Sequence, residues 1–242
     1  MNTSGPSITK REKTELLSDK VERCAVLFES DGETLHGWLY LPRIRFPGSR
    51  LPGIVTANAM TGIKEINLPE YARLFAEAGF AAITFDYRYW GESSGEPRYH
   101  LAPMEHRADI RNALTFLSDQ PEVDPDRIGG WGISMGGGHM LFLATWEPRF
   151  KAVVATSTGI DPQREGKLLT WEEAEKRYAE LLEASNAERA VRKKANLTTL
   201  QAWCPEPKDG CAFPVKEAYD FYEKARESYA PGFQNKLTST SF

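Results

Sequence analysis

The period of apolar and polar positions changes several times along the chain, and each change marks an element. Strand-like runs at Cys24–Phe28 and Thr34–Leu41 flank Ser30-Asp31-Gly32-Glu33. An Asp-Gly between two such runs predicts a tight β-hairpin, because its turn needs positive φ at both central positions. A surface loop from Pro42 to Pro52 leads into a third strand, Leu51–Ala57, and the stretch Leu68–Ala78 reads as a helix closed by Gly79. Phe80–Phe85 is unbroken apolar sequence, the pattern of a strand buried on both faces of a parallel sheet. Between Met104 and Leu117, apolar residues recur at helical spacing as Ala108, Ile110, Ala113, Leu114 and Leu117. An apolar run ending at Ile133, a helix beyond it and a further strand at Phe150–Thr156 complete the series. Strands alternating with helices predict an α/β fold: a doubly wound, mostly parallel sheet entered through an antiparallel hairpin.

The pattern also divides the chain. Residues 1–20 are polar and charged and read as a loose or helical arm, residues 21–159 as the α/β core, and residues 160–242 as a helical cap or lid segment. In that last segment Trp171–Ala195 reads as one or two amphipathic helices. Lys216–Tyr229 reads as another, with Ala218, Phe221, Tyr222 and Ala225 on one face. A helical segment after the last core strand is the usual origin of a lid that shapes substrate choice and excludes water.

Composition narrows the classes. An apolar fraction of 41% in 242 residues supports a folded core. Thirty basic against 34 acidic residues give a net charge of −4, which leaves no nucleic-acid footprint. No run is long and apolar enough to span a bilayer, so the expectation is a cytoplasmic protein that avoids membranes. Cys24, Cys204 and Cys211 are odd in number and lack framework spacing, which reads as unpaired thiols in a reducing compartment and provides no metal site. A homodimer is compatible with this composition.

The chemistry concentrates in Gly132-Ile133-Ser134-Met135-Gly136-Gly137-Gly138. The spacing Gly132-x-Ser134-x-Gly136, between a strand and a helix, is that of a nucleophile elbow. Glycine is needed on both sides of the serine because side chains there would collide with neighbouring backbone. The helix that follows aims its first N–H groups at the serine and favours developing negative charge. The alternative is a glycine-rich turn whose serine only caps the helix.

Several further pieces carry a resemblance: Met60-Thr61-Gly62-Ile63-Lys64-Glu65, Phe85-Asp86-Tyr87-Arg88-Tyr89-Trp90-Gly91-Glu92-Ser93, Gly95-Glu96-Pro97-Arg98 and Gly130-Trp131-Gly132-Ile133-Ser134-Met135-Gly136-Gly137. With these, the stretch from Leu51 to Ala155 resembles α/β-hydrolases of the dienelactone-hydrolase-like group, in particular the polyketide transferase-like proteins of fungal secondary metabolism. The resemblance implies hydrolysis of an ester or thioester, or acyl transfer from a carrier-bound polyketide, on a small-molecule acyl substrate and without a cofactor. It implies Ser134 as nucleophile and the backbone N–H groups of Met60 and Met135 as the oxyanion hole. Asp86, Trp90 and His100 are candidates for the rim of the site. Asp86 and Arg88 read more simply as a buried ion pair that holds their loop.

The chain departs from the family in its remaining triad members. In α/β-hydrolases the acid and the histidine follow the serine in chain order. After Ser134 the only histidine is His139, five residues into the elbow helix and badly placed to reach the hydroxyl; His36, His100 and His106 precede the serine. Asp161 is the most plausible remaining acid. The sequence therefore carries a second expectation, a truncated and catalytically silent relative that acts as a non-enzymatic or interaction protein.

Overall fold

A computed structural model describes residues 10–46, 48–158 and 199–241 and the isolated positions 176, 179 and 183. The described chain forms two compact units. One comprises the described residues up to Gly95 together with Pro103–Thr158, the other Glu96–Ala102 and the described residues beyond 158.

The first unit is a seven-stranded mixed sheet. Its strands are β1 (Lys10–Leu16), β2 (Val21–Ser30), β3 (Glu33–Pro42), β4 (Leu51–Ala57), β5 (Ala81–Phe85), β6 (Val123–Ile133) and β7 (Phe150–Thr156). Their order is β1-β2-β3-β5-β4-β6-β7. Pairing is antiparallel from β1 through β3 to β5 and parallel across β5, β4, β6 and β7. The hairpin expected at Asp31-Gly32 is present. Both residues have positive φ (49° and 90°), as a two-residue primed turn requires, and Ser30 pairs with Glu33 across it. The N-terminal arm is neither loose nor helical beyond residue 9: Lys10–Leu16 pairs with β2 as an edge strand whose exposed face is rich in charge.

Among the described residues three helices cover the sheet: α1 (Leu68–Glu77), α2 (Pro103–Ser118) and α3 (Met135–Ala144). Successive strand residues point to opposite faces, and this sorts the helices. Ala72 and Ala76 of α1 pack with Tyr40 and Ala82, and Ile54 and Trp38 lie against that cluster. A Cβ on Gly53, the neighbour of Ile54, would instead meet Leu117 of α2 at 3.0 Å, and one on Gly130 would meet Met140 of α3. So α1 lies on one face and α2 and α3 on the other, the doubly wound arrangement. β5 is fully buried at all five positions, as its unbroken apolar sequence predicts. The chain leaves β4 towards β5 on one side and returns as β6 on the other. This reversal places a topological switch point at the carboxyl ends of β4 and β6, the position where such sheets bind ligands.

The second unit differs from the expected, mostly helical segment in containing strands. It contains a small sheet of β8 (Thr199–Trp203), β9 (Cys211–Phe213) and β10 (Lys236–Thr238) in the order β10-β8-β9, with α4 (Lys216–Ser228). Strands of three to five residues are too short to show a period, and their partners are distant in sequence. The α4 helix follows its pattern, with Tyr222 and Ala225 buried, although Phe221 stays partly exposed. Trp203, Tyr222 and Phe233 stack successively with centroids 5.7 and 4.9 Å apart. Cys204 and Cys211 form a disulfide and Cys24 is a buried free thiol. This corrects the reading of three unpaired thiols and removes the cysteine argument for a reducing compartment. The helices expected within Trp171–Ala195, and Asp161, lie outside the described residues apart from the isolated positions. Among the described residues no helix is long and apolar enough to cross a membrane.

Candidate active site

Ser134 stands between β6 and α3 with φ 54° and ψ −122°. A non-glycine residue there is strained by about 1–3 kcal/mol, so its surroundings must hold it in place. They do so on three sides. The Ser134 N–H donates to Thr156 O of the neighbouring strand at 2.9 Å. A Cβ on Gly132 would stand 2.3 Å from Gly136 O, and one on Gly136 would stand 2.2 Å from Ala57 O and 2.5 Å from Asn58 O. Only glycine lets strand, helix and the loop after β4 approach this closely. The serine does not cap its helix: the side chain makes no capping hydrogen bond, although its carbonyl accepts from Gly138 N–H at 3.2 Å. The half-buried hydroxyl has no hydrogen-bond partner among the described residues. Met135 is the first residue of α3, where backbone N–H groups have no intrahelical acceptor.

The loop after β4 lies against this elbow through the Ala57 and Asn58 carbonyls, and its next residues are Ala59 and Met60. Asn58 is buried. Its Nδ2 donates to Ile63 O at 2.7 Å and to Ile66 O at 3.3 Å, and its Oδ1 accepts from Ala59 N–H at 2.8 Å. Below the loop, Asp86 accepts from the Lys64 backbone N–H at 2.6 Å, from Lys64 Nζ at 2.9 Å and from Glu92 N–H at 3.0 Å. Lys64 also pairs with Glu65 at 2.8 Å and with Glu92. Complete burial pushes the Asp86 carboxyl up to about 6 against the pull of Lys64, while the surrounding carboxylates hold the Lys64 ammonium charged.

Sequence reasoning paired Asp86 with Arg88, and the structure corrects this. Both residues lie beyond the end of β5, where the chain turns and strand alternation no longer sets side-chain direction. Arg88 binds Asp109 of α2 through Nη2 at 2.7 Å and Nε at 2.9 Å, while Ser30 donates to the same carboxylate at 2.6 Å. Neither Asp86 nor Trp90 forms an open rim, since their exposures are 0% and 2%. His100 belongs to the second unit, where its Nδ1 lies 3.0 Å from Thr238 Oγ1. Lys64 and Asn58 were not singled out as site residues. Their only sequence signal is the Asn58 to Glu65 run itself, because the partner of Lys64 lies 22 residues away.

Among the described residues no hydrogen bond joins a histidine of the first unit to Ser134. His139 is buried on α3 and accepts from Arg107 Nε at 3.3 Å. Burial, with Arg107 adding to it, lowers this imidazole to about 3 and keeps it neutral. His106 is fully buried and stacks on Tyr87 at 4.5 Å. His36 lies on β3, three strand spacings from β6, or about 14 Å at the usual separation. A cavity of about 340 Å³ lined by Ile54, Phe75, Trp131, Ala152 and Val154 runs along the α1 face and does not include Ser134.

A family model for X-Pro dipeptidyl-peptidase (S15 family) matches residues 31–236. The chain belongs to the S15 family. Within this α/β-hydrolase fold it is similar to the crystal structure of PA2218, a hypothetical protein of Pseudomonas aeruginosa. The TM-score is 0.74 and the identity 29%, over 95% of this chain and 75% of that one. Alpha/beta hydrolase GrgF from Penicillium sp. sh18 aligns with TM-score 0.71 and 25% identity over 90% of this chain and 71% of its own. By sequence, PA2218 is 43% identical over 154 residues, which is 63% of this chain and 41% of that protein. Polyketide transferase claH of Penicillium crustosum is 27% identical over 88% of this chain and 68% of its own length. Thiohydrolase aneE of Aspergillus aculeatus is 35% identical over 52% of this chain and 38% of its own length. The sequence matches thus cover about two-fifths of PA2218 and of aneE.

Proposed function

We propose that this S15-family chain carries the nucleophilic half of a serine-dependent acyl hydrolase or acyltransferase site. Its substrate class is a small-molecule ester or thioester, including a carrier-bound polyketide of secondary metabolism. The observation that carries the reading is Ser134. It is held at positive φ between two obligatory glycines, with a hydroxyl that neither caps the helix nor bonds elsewhere among the described residues. In this mechanism Ser134 Oγ adds to the acyl carbonyl as its proton passes to solvent hydroxide, and solvent water returns a proton to the departing alcohol or thiol. The Met135 N–H at the start of α3 and the Met60 N–H on the adjoining loop receive the developing oxyanion. The leaving alcohol or thiol departs, and water or an acceptor alcohol resolves the acyl-serine. The relatives called thiohydrolase and polyketide transferase support acyl chemistry as the class. The cap role of the segment after residue 159 belongs to the same proposal.

The test is covalent capture. Incubation with a fluorophosphonate at pH 9, which raises the alkoxide fraction, should place the phosphonyl group on the peptide containing Ser134 and nowhere else. Ser134→Ala should remove it. Label spread over lysines and tyrosines with Ser134 unmodified would overturn the assignment. A second reading, a catalytically silent relative, draws on one observation: none of the three imidazoles of the first unit hydrogen-bonds to Ser134. A protein that Ser134 labelling leaves untouched at every pH would favour it.

A further inference from the structure

We propose that the buried Lys64–Asp86 pair is the positioning element of the loop that carries Met60, holding that loop against the elbow. The inference rests on the reading that Met60 belongs to the oxyanion hole, and it assigns to Lys64, Asp86 and Asn58 a role that neither fold nor family description requires.

Three observations converge. First, the loop is bound from within. Asn58 Nδ2 bridges the Ile63 and Ile66 carbonyls, and a Cβ on Gly62 would stand 2.5 Å from Asn58 Oδ1, so the loop is wrapped around this one amide. Second, it is bound from below. Asp86, at the end of β5, grips the Lys64 N–H with one oxygen and the Lys64 ammonium with the other. The β5 loop is shaped to leave room for this, since Gly91 has φ 51° and a Cβ there would lie 2.2 Å from Asp86 Oδ2. Third, the start of the loop, through the Ala57 and Asn58 carbonyls, abuts Gly136, the glycine two residues after the candidate nucleophile.

Energetics favour a geometric role over a stabilising one. Side-chain exposures of 1% for Lys64 and 0% for Asp86 mean that both charges are desolvated. Such a pair gives little net stability compared with apolar residues of similar volume, whereas losing one partner is costly. What the pair does supply is direction. An ammonium and two backbone N–H groups converge on a single carboxylate and leave the loop one arrangement. An oxyanion donor needs this kind of constraint, because its effect depends on lying about 3 Å from the developing charge.

The experiment uses the methionines as reporters. The chain has five methionines, including both Met60 and Met135. Protein labelled only with ¹⁵N-methionine therefore gives a few amide resonances, which Met60→Leu and Met135→Leu assign. Asp86→Asn removes the charge at constant volume. The double variant Lys64→Met with Asp86→Asn removes both charges, and it guards against a single variant that fails to fold. In the folded variant the Met60 resonance should shift or broaden while those of Met104 and Met140 stay in place. Fluorophosphonate labelling of Ser134, measured well below the melting temperature, should slow about 10- to 100-fold, the scale of a misplaced oxyanion donor. A purely structural pair would lower the melting temperature and leave the Met60 resonance and the labelling rate at wild-type values. Either of those unchanged values would overturn the proposal. If wild-type Ser134 takes no label, the proposed function fails instead, and the Met60 resonance alone decides whether the pair positions the loop.

Discussion

Replacing Ser134 by glycine should make the protein more stable while removing its candidate nucleophile. Ser134 sits at φ 54° and ψ −122°, a region that glycine enters freely and that costs other residues about 1–3 kcal/mol. The substitution relieves that strain and keeps the Ser134 N–H bond to Thr156 O, which is made by backbone. Against the gain stands the extra freedom of glycine in the unfolded chain, about 0.5–1 kcal/mol. The net expectation is a stabilisation of about 0.5–2 kcal/mol, or a rise in melting temperature of about 1–8 °C for a chain of this size. Ser134→Ala is the control, because it removes the hydroxyl but keeps the Cβ and hence the strain. Thermal unfolding of the three proteins, followed by circular dichroism in one buffer, measures the difference. The reasoning predicts the glycine variant above both the alanine variant and the wild type. A Ser134→Gly midpoint at or below that of Ser134→Ala would refute it, and would mean that the elbow is relaxed and that its glycines serve packing alone.

Further expectations follow from the same geometry. Gly136→Ala places a Cβ within 2.5 Å of two backbone oxygens. Since backbone cannot swing aside, the cost should reach about 3 kcal/mol in urea unfolding, and a loss under 1 kcal/mol would contradict the tight elbow. His139, lowered to about 3 by burial, binds its proton less readily when folded than unfolded. Its contribution is therefore complete above pH 6.5 and is lost as pH falls from 6.5 towards 3. Stability should decline less steeply over that window in His139→Gln, and an imidazole resonance of His139 that titrates near 6.5 would contradict the assignment. Residues 1–242 alone should turn over nitrophenyl acetate only feebly. A serine whose proton has no acceptor loses about 10⁶-fold relative to a complete triad, so Ser134→Ala should change steady-state turnover less than twofold. Turnover in the ordinary enzyme range that collapses in Ser134→Ala would show that another group, such as His100, supplies the base.

Local rules determined part of this protein from the sequence alone. Asp31-Gly32 can only be a tight turn between its strands, the glycines around Ser134 prescribe the elbow, and the unbroken apolar run before Asp86 requires a doubly buried strand. These features depend on backbone φ, on the absence of a Cβ and on periodicity, all of which act within a few residues. Tertiary structure decided what depends on distant partners. Asp86 faces Lys64, and Arg88 turns to Asp109, because the loop after β4 and the helix α2 arrive from elsewhere in the chain. The short strands β8, β9 and β10 have no period to read, and Cys204 and Cys211 meet only because β9 pairs beside β8. The neutrality of His139 likewise follows from its burial beneath Arg107 and Tyr87, which the identity of the residue does not reveal. Local chemistry was thus legible one element at a time. The clamp on the Met60 loop arises only when elements remote in sequence are packed together, since charge pairing and desolvation act through space.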